Sequence, residues 1–139
     1  MQNIIHIRQR RWADCGAATI AMVAGVAYER VLESVAADFF IHGLWYGEIL
    51  HALFKITGRL WTLREFDGQT TLKDFAFPAA ASIVCVVRPE MGRYWARHYA
   101  VVADGVLFDP LLKEPLSLDA ARADHHAAWQ VVGLIGCEA

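Results

Sequence analysis

The stretch Asp14-Cys15-Gly16-Ala17-Ala18-Thr19-Ile20-Ala21-Met22-Val23-Ala24-Gly25 decides the fold. A residue able to cap a helix precedes a body that is apolar almost all round, and a glycine closes it. A helix of that kind is buried on every side. Its first turn holds Cys15, where the helix dipole and unpaired backbone N–H groups favour thiolate over thiol. Both draw the pKa below the free value of about 8.5. Gly16 is read as leaving the sulfur open to a substrate backbone. A lone cysteine is more often a small buried residue, so its companions must decide.

Working outward, further helices are expected from Tyr28 to Ala37 and from Gly47 to Thr57, the latter stopped by Gly58. After that the period changes. Arg59 to Phe66 alternates as a strand does, and Ala80 to Val87 is a short apolar run of central-strand character. His98 to Asp104 and Val106 to Pro110 flank Asp104-Gly105, the residue pair of a two-residue type I′ hairpin. Ser117 is placed to cap a short helix through Ala127, and Trp129 to Ile135 supplies a last strand. Helices first and strands later predicts an α+β fold, with N-terminal helices packed on an antiparallel β-sheet in one domain over residues 1–139.

A nucleophilic thiol needs a base, and the base needs an orienting group. If Asp104-Gly105 is the turn, Ala103 pairs with Val106 and Ala100 with Asp109. His98 and Asp109 are then diagonal neighbours on one face, within side-chain reach. An aspartate there accepts a hydrogen bond from one imidazole nitrogen and leaves the other for sulfur. His6, His42, His51, His125 and His126 read as surface or boundary residues, since adjacent helical residues do not share a face. Cys85 reads as core packing, and Cys137 stands at no helix start. Gln9, six residues before Cys15, is a candidate donor to the oxyanion of a tetrahedral intermediate, alongside the Cys15 N–H.

Gln9-Arg10-Arg11-Trp12-Ala13-Asp14-Cys15-Gly16-Ala17-Ala18, followed by Ala21-Met22, resembles the active-site segment of the bacteriocin-processing (double-glycine leader) peptidases. His98-Tyr99-Ala100-Val101-Val102 and Phe108-Asp109-Pro110 resemble that family's other two motifs, and Pro78 falls where the family commonly has proline. The resemblance implies a papain-like cysteine peptidase fold. It also implies that Cys15 attacks a carbonyl, His98 shuttles the proton, Asp109 orients the imidazole and Gln9 stabilises the oxyanion. Asp109-Pro110 is followed by Leu111-Leu112 rather than by the family's usual glycine, which alters that loop.

Composition narrows the rest. The chain has 139 residues, 56% hydrophobic, and a formal net charge of −2, which predicts no nucleic-acid surface. Three widely spaced cysteines suggest neither a disulfide framework nor a zinc knuckle. No cofactor or metal is expected. The longest nearly apolar stretch, eleven residues from Ala17 to Ala27, is too short to span a bilayer. With no secretory signal read in Met1 to Trp12, a cytoplasmic location without membrane insertion is expected. No Walker A motif occurs, so an exporter role is not carried over, and any partner protein or exporter is unspecified. The expected partner is a peptide or protein substrate, cleaved at a peptide or isopeptide bond near small residues. The alternatives are a thiol acyltransferase or amidase on the same scaffold, and a non-catalytic peptide-binding module. Trp12, Trp45, Tyr46, Tyr94 and Trp95 are candidates to line a groove.

Overall fold

The computed structural model describes residues 3–11, 13–35, 44–91 and 97–137. Helix α1 spans Cys15–Ala24 and ends on Gly25, whose φ of 68° is the left-handed conformation that stops a helix. Gly16 through Val23 are all buried, as an all-apolar helix requires. Helix α2 covers Tyr28–Leu32; the rest of the expected second helix lies partly outside the described residues. Helix α3, Tyr46–Thr57, buries Ile49, Ala52 and Leu53 and stops at Gly58.

Among the described residues six strands follow: β1 Trp61–Glu65, β2 Ser82–Val87, β3 Arg97–Ala103, β4 Val106–Phe108, β5 Leu116–Ser117 and β6 Gln130–Cys137. They form one sheet in the order β1-β6-β2-β3-β4-β5, with every neighbouring pair antiparallel. The expected α+β architecture, helices on an antiparallel sheet, is the one observed. The two-residue β5 was not anticipated. The expected helix from Ser117 to Ala127 is broken into α4, Leu118–Ala121, and a 3-10 turn, His125–Ala128. Ser117 does cap α4, accepting from the Ala120 N–H at 3.1 Å.

The sheet carries a core on each face. One side packs α1 and α3 onto Ile83, Cys85, Tyr99, Val101 and Ile135. The other gathers Leu72, Val84, Val86, Ala100, Val102, Leu118, Trp129 and Leu134. Strict alternation of β2 and β3 residues between these clusters is what a two-sided buried sheet produces. Among the described residues no helix is long and apolar enough to cross a membrane.

Candidate active site

The site forms where the start of α1 meets the start of β3. Asp14 occupies the N-cap position, yet its side chain caps nothing. Its φ of −89° and ψ of 0° are helical rather than extended, so the carboxylate cannot fold back onto the first turn. It is buried instead, accepting a 2.6 Å hydrogen bond from the Tyr28 hydroxyl. Arg10 lies over the outer part of that pair, 4.4 Å from the Tyr28 ring centre. Gly16 also differs from expectation. A Cβ there would stand 3.2 Å from Cβ of Leu44, so its missing side chain makes room for Leu44 rather than for a substrate.

The Asp104-Gly105 turn has positive φ at both residues, 48° and 74°, as type I′ geometry requires. It sets the register Ala103↔Val106, Val102↔Leu107 and Val101↔Phe108. Asp109 follows in line with Ala100, one residue past the end of the ladder. Across that diagonal, His98 Nε2 and Asp109 Oδ1 are 2.7 Å apart, and both residues are buried. The Leu111 N–H also donates to Oδ1, at 3.0 Å.

Cys15 lies near enough to His98 for each to shift the other's titration. With Nε2 turned to Asp109, Nδ1 is the nitrogen left for the sulfur. Burial pushes the Cys15 thiol up, but the His98 hydrogen bond and charge, the Tyr99 N–H and the Arg88 charge outweigh it and leave the pKa lowered. Burial likewise pushes His98 down, yet the Asp109 carboxylate and the sulfur raise it to about 9. Asp109, despite its burial, is held well below the ordinary carboxylate range by His126, His98 and the Leu111 N–H. These three directions favour the charged form of each group: thiolate, imidazolium and carboxylate.

His126 was expected at the surface and is instead fully buried. Its Nε2 lies 3.2 Å from Asp109 Oδ2, and its Nδ1 lies 2.8 Å from Asp124 Oδ1. The reason is the 3-10 turn, which points His125 out and His126 in. Asp124 caps that turn through the His126 N–H, at 2.8 Å. Trp129, at i+3 from His126, packs edge-on against both histidines, with centroid distances of 4.5 Å to His126 and 5.5 Å to His98. The legible signal was the Asp-x-His turn ahead of a tryptophan opening the last strand. Asp124, His125 and His126 bring ligand atoms within 4.8 Å of one another. Both nitrogens of His126 already face carboxylates, so the ring has no lone pair directed at a metal.

Gln9 is fixed beside the site by its backbone, whose N–H donates to the Pro110 carbonyl at 2.9 Å. Its side-chain amide donates to the Arg11 carbonyl at 2.7 Å. The structure therefore brings Cys15, His98 and Asp109 together, and it holds the Gln9 amide on the Arg11 carbonyl, which also accepts the Asp14 N–H beside Cys15 at 3.2 Å.

Two solved structures have a similar fold. One is the peptidase domain of Streptococcus ComA, a bi-functional ABC transporter involved in a quorum-sensing pathway. It is 21% identical, with 97% of this chain and 98% of that chain covered and a TM-score of 0.60. The other is the peptidase domain of Streptococcus mutans ComA: 16% identity, 96% and 98% coverage, TM-score 0.52. The chain has the fold of a ComA peptidase domain. No protein-family model and no curated protein sequence matches it.

Within that ComA-type fold the remaining candidates divide. Tyr46 packs beneath β6, where a Cβ on Gly133 would overlap its hydroxyl, so it belongs to the core. Trp45 is exposed. Trp12, His42, Tyr94 and Trp95 lie outside the described residues. His6 ties the N-terminal arm to the Leu112 carbonyl at 2.7 Å, and His51 is exposed on α3. All three cysteines are free thiols.

Proposed function

We propose that this chain is a cysteine peptidase of the double-glycine leader type, with Cys15 as nucleophile, His98 as general base and acid, and Asp109 as the orienting carboxylate. The observation that carries the reading is a thiol at the start of α1, near an imidazole that a buried carboxylate holds at 2.7 Å. Thiolate attack on a peptide carbonyl forms the carbon–sulfur bond and moves the carbonyl electrons onto oxygen. The imidazolium of His98 gives its proton to the leaving amine as the C–N bond breaks. A water deprotonated by the same ring then cleaves the thioester.

The oxyanion would be met by the Cys15 N–H, one of the first N–H groups of α1 that lack helical partners. Gln9 is the proposed side-chain donor: one amide N–H is held by the Arg11 carbonyl, and the second is left for the oxyanion. The substrate class is an extended peptide with small residues at the cleaved bond. A cytoplasmic, single-domain enzyme is the setting proposed, with an exporter as a candidate partner.

The test is the rate of Cys15 modification by iodoacetamide against pH, with Cys85 and Cys137 followed in the same digest. Peptides carrying a Gly-Gly sequence are then incubated with the wild-type protein and with Cys15→Ala. Fast labelling of Cys15 persisting to about pH 6, with cleavage lost in Cys15→Ala, is the expected result. Slow labelling with a midpoint near the free-thiol value of about 8.5 would sink the reading.

A further inference from the structure

Behind Asp109 lies a buried histidine to which the proposed reaction assigns no role. Resting on the reading of Cys15 as a peptidase nucleophile, we propose that His126 is a positioning residue of the same site: wedged between Asp109 and Asp124 as a doubly protonated ring, it fixes the carboxylate that fixes His98.

The geometry requires this protonation state. Nε2 of His126 faces Asp109 Oδ2 and Nδ1 faces Asp124 Oδ1. An ionised carboxylate only accepts, so the ring satisfies both neighbours only with a proton on each nitrogen. The raised pKa of His126 agrees: burial opposes the charge, and its hydrogen bonds to Asp109 and Asp124 more than restore it. The groups facing this ring are Asp109 from the loop after β4, Asp124 and His125 from its own turn, and His98 beyond Asp109. Signs alternate from sulfur to imidazolium, carboxylate, imidazolium and carboxylate. His98, Asp109 and His126 are buried between a partly exposed Cys15 and Asp124, whose side chain is 39% exposed.

Two features make His126 more than a filler. Asp109 Oδ1 already accepts from both His98 and the Leu111 N–H, and His126 is the partner of Oδ2. Without it a buried charged oxygen loses its donor and the carboxylate is free to rotate, which loosens the His98 bond. His126 is itself anchored, because Asp124 grips both its backbone N–H and its ring, and Trp129 packs against it and His98 together.

The test compares His126→Gln with His126→Asn in the full chain, with folding checked by thermal melts. The Gln amide reaches the position of Nε2 and can donate to Asp109; the shorter Asn amide reaches only the position of Nδ1, toward Asp124. One readout is the downfield NMR resonance of the His98 Nε2 proton. The other is the iodoacetamide rate at Cys15 at pH 6. His126→Asn is expected to lose the slowly exchanging resonance and to lower the rate about 10- to 100-fold. His126→Gln is expected to recover most of both. In an Asp109→Asn background, His126→Asn should add no further loss of rate. A retained resonance with a rate within twofold in His126→Asn, or a fully additive loss in the Asp109→Asn background, would overturn the proposal. If wild-type Cys15 labels as an ordinary thiol, the peptidase reading falls, while the resonance still decides what His126 does.

Discussion

Cys15 and Cys85 both meet Tyr99, and their chemistry runs in opposite directions. Cys85 sits opposite Tyr99 in the β2–β3 ladder, in the middle of the sheet; Cys15 receives the Tyr99 N–H from the end of a helix. Burial pushes both thiols up and is the largest influence on each. At Cys85 it wins, although the Tyr46 hydroxyl and Arg97 oppose it, and the charge at Cys15 adds to the rise. At Cys15 the His98 ring reverses the outcome. Enclosure therefore does not make a reactive cysteine; a positive donor held against the sulfur does.

The strongest way to break that contrast is His98→Ala. Cys15 is lowered and His98 is raised to about 9, so the thiolate persists on the acid side of the ordinary thiol range and the imidazolium persists through neutral pH. The apparent values belong to the pair rather than to either residue. Wild-type labelling should therefore hold a plateau across neutral pH and fall only as acid protonates the thiolate. In His98→Ala the rate at pH 6 should drop on the order of 100-fold, the gap between a thiolate and a free thiol of pKa about 8.5. Cys15 would then label as an ordinary thiol. A rate within threefold of wild type would mean that Arg88 and the helix start suffice without the imidazole.

Local signals carried much of this site. A helix closed by Gly25 and a turn written as Asp104-Gly105 fixed both halves, and the ladder register then placed His98 beside Asp109. What escaped were contacts between residues far apart in the chain. Asp14 looks like a cap, but Tyr28 takes its carboxylate. Gly16 looks open, but Leu44 fills the space. His126 looked exposed because a continuous helix was assumed; a 3-10 turn and a partner 17 residues away bury it. Gln9 is read from spacing as an oxyanion donor beside the helix start, whereas its backbone tie to Pro110 and its amide bond to the Arg11 carbonyl are contacts that spacing does not reveal.

A smaller effect comes from the Cys85 side. Cys85 pairs with Gly133 across β2 and β6, and the Tyr46 ring lies over that glycine. A Cβ there would overlap the hydroxyl and stand 2.9 Å from Cζ. Gly133→Ala should force Tyr46 away from Cys85 and cost about 1–3 kcal/mol, read from urea unfolding. Cys85 should become easier to label while the Cys15 rate stays within about twofold. Equal changes at both sulfurs would show that the two environments are one coupled unit.

The smallest effect tests whether the hairpin matters to the contrast at all. Gly105 has φ of 74°, and a Cβ there would meet nothing within 4 Å. The cost of Gly105→Ala is thus backbone strain alone, about 1 kcal/mol, which lowers Tm by about 3–5 °C for a chain of this size. The paired residues of β3 and β4 alternate between the two cores, and a one-residue slip would turn all of them to the wrong face. The register should therefore survive the strained turn, and Cys15 should label as in wild type. Loss of Cys15 reactivity in a folded Gly105→Ala protein would mean that the turn, rather than the packing of the two strands, aligns Asp109 with His98.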